Sequence, residues 1–246
     1  MKPACASARK TSGAILSASL TGVLIALGAA SAALAHERRA EPDRHRYPVR
    51  GIDVSHYQGT IDWPAVAGDG VVFAYIKATE GVDGRDSQFA RNWRDARRAG
   101  IRVGAYHYFL FCRSARAQAR NFLAVAPGSA SALPPAIDLE MARGCARVTG
   151  ADVRRDLSAY LAIVEAHDRK RAVLYVTPQF FATYRAYLPE RPMWRRSISA
   201  RPAADASWAF WQYRSRGHVA GIRTHVDLNV FRANGRNGGA LTGRAC

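Results

Sequence analysis

Apolar residues along this chain fall into short runs, and several of the stretches between them carry apolar positions at helical spacing. The run 71–77 reads VVFAYIK and is rich in β-branched and aromatic residues, which is typical of a buried strand. In the stretch 86–99, Phe89, Trp93 and Ala96 recur on one helix face, and Gly100 follows as a stop signal. On these criteria we predict strands at 51–55, 71–77, 102–109, 135–139, 171–176, 193–198, 208–213 and 226–231. Helices are predicted at 86–99, 114–125, 149–167 and 178–187.

The order of these elements predicts an α/β fold built as a single barrel of eight strands. The first five strands alternate with helices or long connections, which favours parallel pairing. The last three strands follow one another closely, so we expect an irregular, TIM-like barrel that is short of helices at its end. In such barrels the functional side chains lie at the carboxyl ends of the strands.

Both ends of the chain depart from this central pattern. Residues 1–35 have a basic start and an uncharged stretch that ends in Ala33-Leu34-Ala35, the layout of a signal peptide cleaved after Ala35. An uncleaved membrane anchor is the alternative, because the uncharged stretch of about 22 residues could just span a bilayer. Residues 36–49 are predicted to form a flexible leader and 233–246 a flexible tail. We therefore expect an exported protein, periplasmic or extracellular, with no stable membrane anchor once the signal peptide is removed.

The chain is strongly basic, with 36 Lys and Arg against 19 Asp and Glu and a formal net charge of +17. Loss of residues 1–35 would remove three basic residues and no acidic one, which leaves +14. Such a charge favours polyanionic partners in general. Because no nucleic-acid-binding motif accompanies it, we expect an anionic cell-wall surface as partner rather than nucleic acid. A general arginine bias without a specific partner is the alternative.

Four cysteines occur, and Cys5 would leave with the signal peptide. Cys112 and Cys145 each follow a predicted strand, so we predict a disulfide between them in an oxidising compartment. Cys246 is left as a free thiol or an intermolecular partner. The cysteine spacing does not fit a zinc site, and the histidines form no ligand cluster, so neither a metal nor another cofactor is expected.

Acidic residues stand at or near the ends of predicted strands, namely Asp53 in GIDVSHYQG, Asp138 and Glu140 in PPAIDLE, and Asp227 in HVDLNVF. Alternate residues of a strand face the same side, so the carboxyls of Asp138 and Glu140 should be about 6–7 Å apart. Two like charges in a partly dry cleft raise the pKa of one of them. A carboxyl that stays protonated near neutral pH can act as the general acid that glycosidic cleavage requires. A pair of solvated acids at a strand end is the alternative for this tripeptide alone.

Aromatic residues gather near the predicted strand ends. Their flat faces and polar edges suit sugar rings, although a single aromatic residue is more often part of the core. The residues concerned are Tyr57, Tyr106, Tyr108, Tyr175, Trp194, Trp208, Trp211 and Tyr213.

Seven ordered stretches carry a resemblance to a known family. They are GIDVSHYQGTIDW (51–63), VVFAYIKATEG (71–81), IRVGAYHYF (101–109), PPAIDLE (134–140), VLYVT (173–177), WAFWQY (208–213) and VDLNVF (226–231). With them the chain resembles the glycoside hydrolase family 25 lysozymes, which are N-acetylmuramidases. The resemblance implies a flattened barrel of eight strands with about five helices, and a catalytic domain over residues 50–232.

The resemblance also implies roles for individual residues. Glu140 matches the family's general acid and Asp138 its acidic partner, while Asp53 and Asp227 match two further acids on the cleft floor. Substrate-binding positions are implied for Tyr106, Tyr175, Gln212 and Glu80, and the aromatic pattern adds Tyr57 and Trp211.

The family implies hydrolysis of the β-1,4 bond that follows N-acetylmuramic acid in peptidoglycan. In one route the substrate's acetamido group is the nucleophile and Asp138 orients it; the alternative is inversion with Asp138 or Asp227 as the base. A non-catalytic peptidoglycan-binding module on the same scaffold is a competing hypothesis, as is a chitinase-like hydrolase of amino sugars. The usual chitinase run D-x-x-D-x-D-x-E is absent, because residues 133–137 read LPPAI. We expect the protein to be a monomer.

Overall fold

The computed structural model describes residues 41–141, 145, 148–203 and 208–232. The predicted signal peptide at 1–35, the predicted tail at 233–246, Cys5 and Cys246 all lie outside the described residues. Within the described part of the chain, no helix is both long enough and apolar enough to cross a membrane.

The strands in the described residues are β1 (Arg50–Val54), β2 (Phe73–Glu80), β3 (Gly84–Arg85), β4 (Arg102–Tyr108), β5 (Ala136–Leu139), β6 (Val173–Val176), β7 (Met193–Arg196), β8 (Trp208–Gly217) and β9 (Val226–Phe231). All of them except β3 close into a barrel of eight strands, because β1 pairs with β2 on one side and with β9 on the other. Within the barrel, β9 is antiparallel to both β8 and β1, and the other neighbouring strands are parallel. The two-residue strand β3 pairs only with β2, and this pair is antiparallel.

Five α-helices lie in the described residues, in agreement with the number that the resemblance implies. They are α1 (Trp63–Gly68), α2 (Phe89–Arg98), α3 (Ala115–Val125), α4 (Gly150–Asp168) and α5 (Pro178–Tyr184), with short 3-10 turns at His56–Gln58 and Arg185–Tyr187. Ser114, Thr149 and Thr177 cap three of them by accepting a hydrogen bond from a backbone N–H of the first turn. The helix predicted from residue 86 begins only at Phe89, because the Asp86 carboxylate instead accepts the backbone N–H groups of His56 and Gln88.

The barrel interior is filled by large aromatic side chains. Tyr75 stacks on Trp194 with ring centroids 4.8 Å apart, and Phe73 meets Phe210 edge to face at 5.4 Å. These rings fit only because glycine lies opposite: a Cβ on Gly51 would stand 2.3 Å from the Phe73 ring. The interior is therefore a packed core below the barrel mouth.

The alternate residues of the strands face outward and pack beneath the helices. Ile52, Val54 and Ile76 belong to this outer core together with Leu157 and Phe180 from the helices. The period of two along each strand thus separates an inner, largely aromatic layer from an outer layer of mixed aliphatic and aromatic side chains.

The prediction of a flexible leader at 36–49 does not hold for its described part. Tyr47 is only 4% exposed, and its ring centroid lies 5.8 Å from that of Trp208 and 6.1 Å from that of Trp211. The backbone N–H of Phe231 donates to the Val49 carbonyl at 2.9 Å. The described part of this polar segment thus contacts the barrel through a buried aromatic ring and a backbone hydrogen bond.

Candidate active site

The four acidic residues singled out from the sequence line one pocket at the mouth of the barrel. Asp53, Asp138 and Glu140 come from the carboxyl ends of β1 and β5, and Asp227 stands at the start of β9. Because β9 runs antiparallel, its amino end lies at the edge where the parallel strands end. The pocket has a volume of about 110 Å³ and is lined by Asp53, Tyr106, Asp138, Glu140, Tyr175, Trp194, Gln212 and Asp227.

Asp138 and Glu140, two residues apart at the end of β5, form the first pair of acids. Burial raises the pKa of Asp138 well above its usual value, and the charges of Glu140 and Asp53 raise it further. Burial also raises the pKa of Glu140, against the nearby positive charges of Arg196 and Lys77. Asp138 Oδ1 is buried and has no hydrogen-bond partner among the described residues. Ionising both carboxyls at once is therefore unfavourable, and Asp138 offers an unpartnered acceptor atom to a ligand.

Asp53 and Asp227 form the second pair. They lie directly opposite each other in the register of β1 and β9, and their side chains are hydrogen-bonded. Burial raises the pKa of Asp53 to about 6, although hydrogen bonds from Asn229 and Gln212 oppose the rise. Burial, followed by the charge of Asp53, raises the pKa of Asp227 to about 9. At neutral pH this pair thus holds one proton, on Asp227, which donates to the ionised Asp53.

A network of four hydrogen bonds holds the Asp53 carboxylate in place. Gln212 Nε2 and Asn229 Nδ2 both donate to Asp53 Oδ2, at 3.0 and 2.7 Å. The Tyr175 hydroxyl donates to Gln212 Oε1 at 2.9 Å, and Trp194 Nε1 donates to Asn229 Oδ1 at 2.8 Å. Each amide oxygen is thereby occupied, so each amide N–H₂ must face the carboxylate.

Three of the implied substrate-binding residues, Tyr106, Tyr175 and Gln212, do line the carboxylate pocket. The sequence predicts that the Asn229 amide orients Asp227 or caps the strand end. Asn229 stands two residues after Asp227, and therefore on the same face of β9, but its amide donates to Asp53. That spacing was the available signal for a second polar side chain pointing into the barrel.

Trp211 does not reach the pocket, so the prediction of a substrate-binding role for it is wrong. Since Gln212 faces the pocket, its neighbour on β8 faces the outer core. There Trp211 is 1% exposed, packs against Trp208, and donates from Nε1 to the Ser197 carbonyl at 2.7 Å.

Tyr57 and Glu80 also lie outside the carboxylate pocket. Tyr57 is 74% exposed on the first 3-10 turn, where its ring contacts that of His56. Glu80 ends β2, and its Oε2 lies 2.6 Å from Lys77 Nζ at the edge of a neighbouring cavity. The structure therefore does not bring either residue to the four acids.

The predicted disulfide between Cys112 and Cys145 is confirmed, with Cα atoms 5.2 Å apart. It joins the loop after β4 to the segment after β5. Across the residues that the structure describes, no group of three or more His, Cys, Asp or Glu side chains is arranged to hold a metal ion.

The sequence model of the glycosyl hydrolases family 25 matches residues 52–222 of this chain. The chain belongs to this family. As a family 25 glycosyl hydrolase the protein is a glycosidase, and its matched region contains Asp53, Asp138 and Glu140.

Individual relatives and solved structures agree with this assignment. The YegX protein of Escherichia coli K12 is 40% identical over 193 residues, which is 75% of this chain and 70% of that protein. Lysozyme M1 of Streptomyces globisporus is 34% identical over 198 residues, 74% of this chain and 67% of that protein. The structure of a family 25 glycosyl hydrolase from Bacillus anthracis superposes with a TM-score of 0.74 and 35% identity, covering 83% of this chain and 96% of that one. The predicted irregular TIM-like barrel is thus confirmed.

Proposed function

We propose that this family 25 glycosidase is a lysozyme that hydrolyses peptidoglycan. The family and the similarity to Lysozyme M1 support this substrate class. The observation that carries the proposal is the single pocket in which Asp138 and Glu140 meet beside Asp53 and Asp227 at the barrel mouth. A non-catalytic binding module would have no use for four carboxyls that burial and mutual repulsion make costly to ionise.

The bond cleaved is the β-1,4 linkage between N-acetylmuramic acid and N-acetylglucosamine, with Glu140 as the general acid. A proton passes from the Glu140 carboxyl to the glycosidic oxygen as the bond from that oxygen to the muramic acid carbon breaks. The raised pKa of Glu140 keeps this proton available towards neutral pH.

Asp138 orients the substrate's acetamido group, whose carbonyl oxygen attacks the sugar carbon and forms an oxazolinium-like intermediate. The unpartnered Oδ1 accepts the acetamido N–H. Because a hydrogen bond to the charged form lowers a carboxyl's pKa, substrate binding favours ionised Asp138, and the negative charge of Asp138 in turn favours protonated Glu140. Ionised Asp138 then stabilises the positive intermediate, and Glu140 takes a proton from the water that opens it.

The anomeric form of the first product separates this route from inversion. NMR spectra recorded in the first minutes of digestion should show a β-anomer at the new reducing end. A first-formed α-anomer would exclude the assisted route and would support Asp138 or Asp227 as the base that activates a water molecule.

The bond specificity is tested by digesting purified peptidoglycan with the mature chain and identifying the new reducing ends by mass spectrometry. We expect reducing muramic acid. Reducing glucosamine would place the enzyme in another hydrolase class, and the absence of any new reducing end would support a binding module.

We further propose that residues 1–35 are a signal peptide and that the enzyme acts in the periplasm or outside the cell. The basic start and the Ala33-Leu34-Ala35 stretch support this. Amino-terminal sequencing of the exported protein should begin at His36; an amino terminus at Met1 would indicate the uncleaved anchor.

A further inference from the structure

A second cavity, of about 360 Å³, opens beside the carboxylate pocket. It lies between the β2–β3 turn and the loop that follows β4. Its lining residues are His56, Lys77, Glu80, Gly81, Val82, Asp83, Gly84, Arg85, Asp86, Leu110 and Arg113. We refer to it as the hairpin cavity.

Lys77 and Tyr108 lie near both the hairpin cavity and the proposed catalytic pair. Lys77 Nζ lies 5.2 Å from the centre of the Tyr108 ring and forms the ion pair with Glu80. Tyr108 is paired in register with Asp138 on the neighbouring strand. Burial and then the charge of Glu140 raise the pKa of Tyr108 to about 12, which agrees with its place beside the carboxylate pocket. A substrate held over Glu140 thus has the hairpin cavity within reach of its substituents.

Both rims of the hairpin cavity are fixed by buried amides of α3. Asn121 Nδ2 donates to the carbonyls of Gly81 and Gly84, at 3.2 and 3.1 Å, and so holds the β2–β3 turn. Gln118 Nε2 donates to the carbonyls of Leu110 and Arg113, at 2.9 and 3.2 Å, and so holds the opposite loop. The cavity is therefore a preformed feature of the fold, as small-ligand sites usually are.

The hairpin cavity is lined by three cationic and three acidic side chains, but not all of these charges are available to a ligand. Glu80 is paired with Lys77. The fully buried Asp86 carboxylate lies 2.8 Å from His56 Nδ1. Arg85 and Arg113 are exposed, and neither guanidinium has an ion-pair partner within 4.0 Å among the described residues. Against these two cations the lining supplies one further carboxylate, Asp83.

We infer that the hairpin cavity binds the acidic peptide that peptidoglycan carries on its muramic acid residues. The inference rests on the proposed function, since it concerns a substituent of that substrate. The sugar rings are neutral, whereas the peptide has free carboxylates, and paired carboxylate oxygens match the donor fork of a guanidinium. Arg85 and Arg113 thereby select glycan strands whose peptides are charged.

The test compares two soluble substrates made from one preparation of peptidoglycan fragments. One keeps its free peptide carboxylates, and in the other these are converted chemically to amides. We expect the unmodified enzyme to have a KM about three- to tenfold lower on the charged substrate, the effect of about two partly exposed charge pairs. The variant Arg85→Gln/Arg113→Gln should lose this preference and give similar KM values on both substrates, with kcat changed much less than KM.

A matched control variant removes two arginine charges outside the hairpin cavity. Arg116 and Arg201 are exposed and do not line the hairpin cavity. The variant Arg116→Gln/Arg201→Gln should keep the preference of the unmodified enzyme. An equal preference in all three proteins, or its equal loss in both variants, would overturn the inference while leaving the lysozyme activity in place. Failure of the unmodified enzyme to cut either substrate would overturn the proposed function and this inference with it.

Discussion

At the scale of single residues, the carboxylate pocket brings four acids together by limiting how many of them are charged. Burial raises the pKa of Asp53 to about 6 and that of Asp227 to about 9, so Asp227 holds a proton beside ionised Asp53 at neutral pH. Burial also raises the pKa values of Asp138 and Glu140, and the charge of Lys77 lowers both of them. This division of protons leads to a prediction for the pH dependence of activity and another for stability.

Replacement of Lys77 by Met should move the whole pH–activity profile to higher pH. The Lys77 charge lowers the pKa values of both Asp138 and Glu140. In the proposed mechanism activity needs ionised Asp138 and protonated Glu140, so raising both pKa values shifts the acid limb and the alkaline limb in the same direction. We expect a shift of up to about one pH unit in kcat/KM, at the low end of what a nearby charge gives.

The charge-conserving variant Lys77→Arg is the control, and its profile should stay within a few tenths of a pH unit of the original. A shift of the Lys77→Met profile towards acid would contradict the assignment of Glu140 as the acid.

Replacement of Asp227 by Asn should stabilise the protein at alkaline pH while reducing its activity. The pKa of Asp227 is raised in the folded state, so its contribution to stability is complete below about pH 3.8 and is lost as the pH rises towards about 9. Asn cannot ionise, and it keeps an N–H donor for Asp53. At about pH 8 we expect Tm to rise by about 2–4 °C, the shift that about 1 kcal/mol gives at this chain length.

Thermal unfolding of the same two proteins at about pH 4 supplies the control, because the difference in Tm should shrink there. A lower Tm for the variant at pH 8 would show that Asp227 is ionised in the folded protein.

The four acids could be predicted from sequence because each lies at or near one end of a predicted strand. The hydrogen-bond network around Asp53 could not be predicted, since Asn229, Gln212 and Asp53 come together only through the register of strands distant in sequence. The error for Trp211 had the same origin: its direction depends on which residues of β8 face inward.

At the scale of elements, α3 and the disulfide organise one side of the barrel mouth. Buried amides of α3 hold the β2–β3 turn and the loop after β4, and Cys112 ties that loop to Cys145. The disulfide joins two cysteines that are 33 residues apart in sequence. The loop should therefore depend on the disulfide for its stability.

The double variant Cys112→Ala/Cys145→Ala should lower the free energy of unfolding by about 3–4 kcal/mol, the range for a crosslink that closes a loop of this length. Denaturant-induced unfolding under oxidising conditions measures the change. The single variant Cys112→Ala should lose as much as the double variant, because either change removes the crosslink. A loss below about 0.5 kcal/mol would show that the disulfide contributes little to folding.

All eight barrel strands were predicted from their apolar runs, because a strand buried on both faces has a strong local signal. Helix α1 and strand β3 were not predicted from the pattern of residues. They have six and two residues, too few to show a period of their own. Tyr47 was missed because a single aromatic residue in a polar stretch has no periodicity at all.

At the scale of the whole molecule, the charge of +17, or +14 once residues 1–35 are removed, should concentrate the enzyme on a polyanionic cell wall. The catalytically disabled variant Glu140→Gln allows binding to be measured without digestion. Raising the ionic strength from about 0.1 to 1 M shortens the Debye length from about 10 to 3 Å, and we expect binding to insoluble peptidoglycan to weaken at least about tenfold.

Neutral fragments with amidated peptides provide the comparison, since their binding should respond much less to salt. Binding to the intact wall that does not change with salt would leave the basic composition without a role in partner recognition.

The most direct test of the proposed chemistry is the rate at which a correctly folded Glu140→Gln variant hydrolyses peptidoglycan. We predict a fall of about 10²–10⁴-fold in kcat, the usual contribution of a general acid, with Tm equal to or above that of the unmodified protein. Glu190→Gln, a change of an exposed acid outside the pocket, should hydrolyse at the original rate. A Glu140→Gln protein that is folded and retains more than about a tenth of the activity would contradict the assignment of this carboxyl as proton donor.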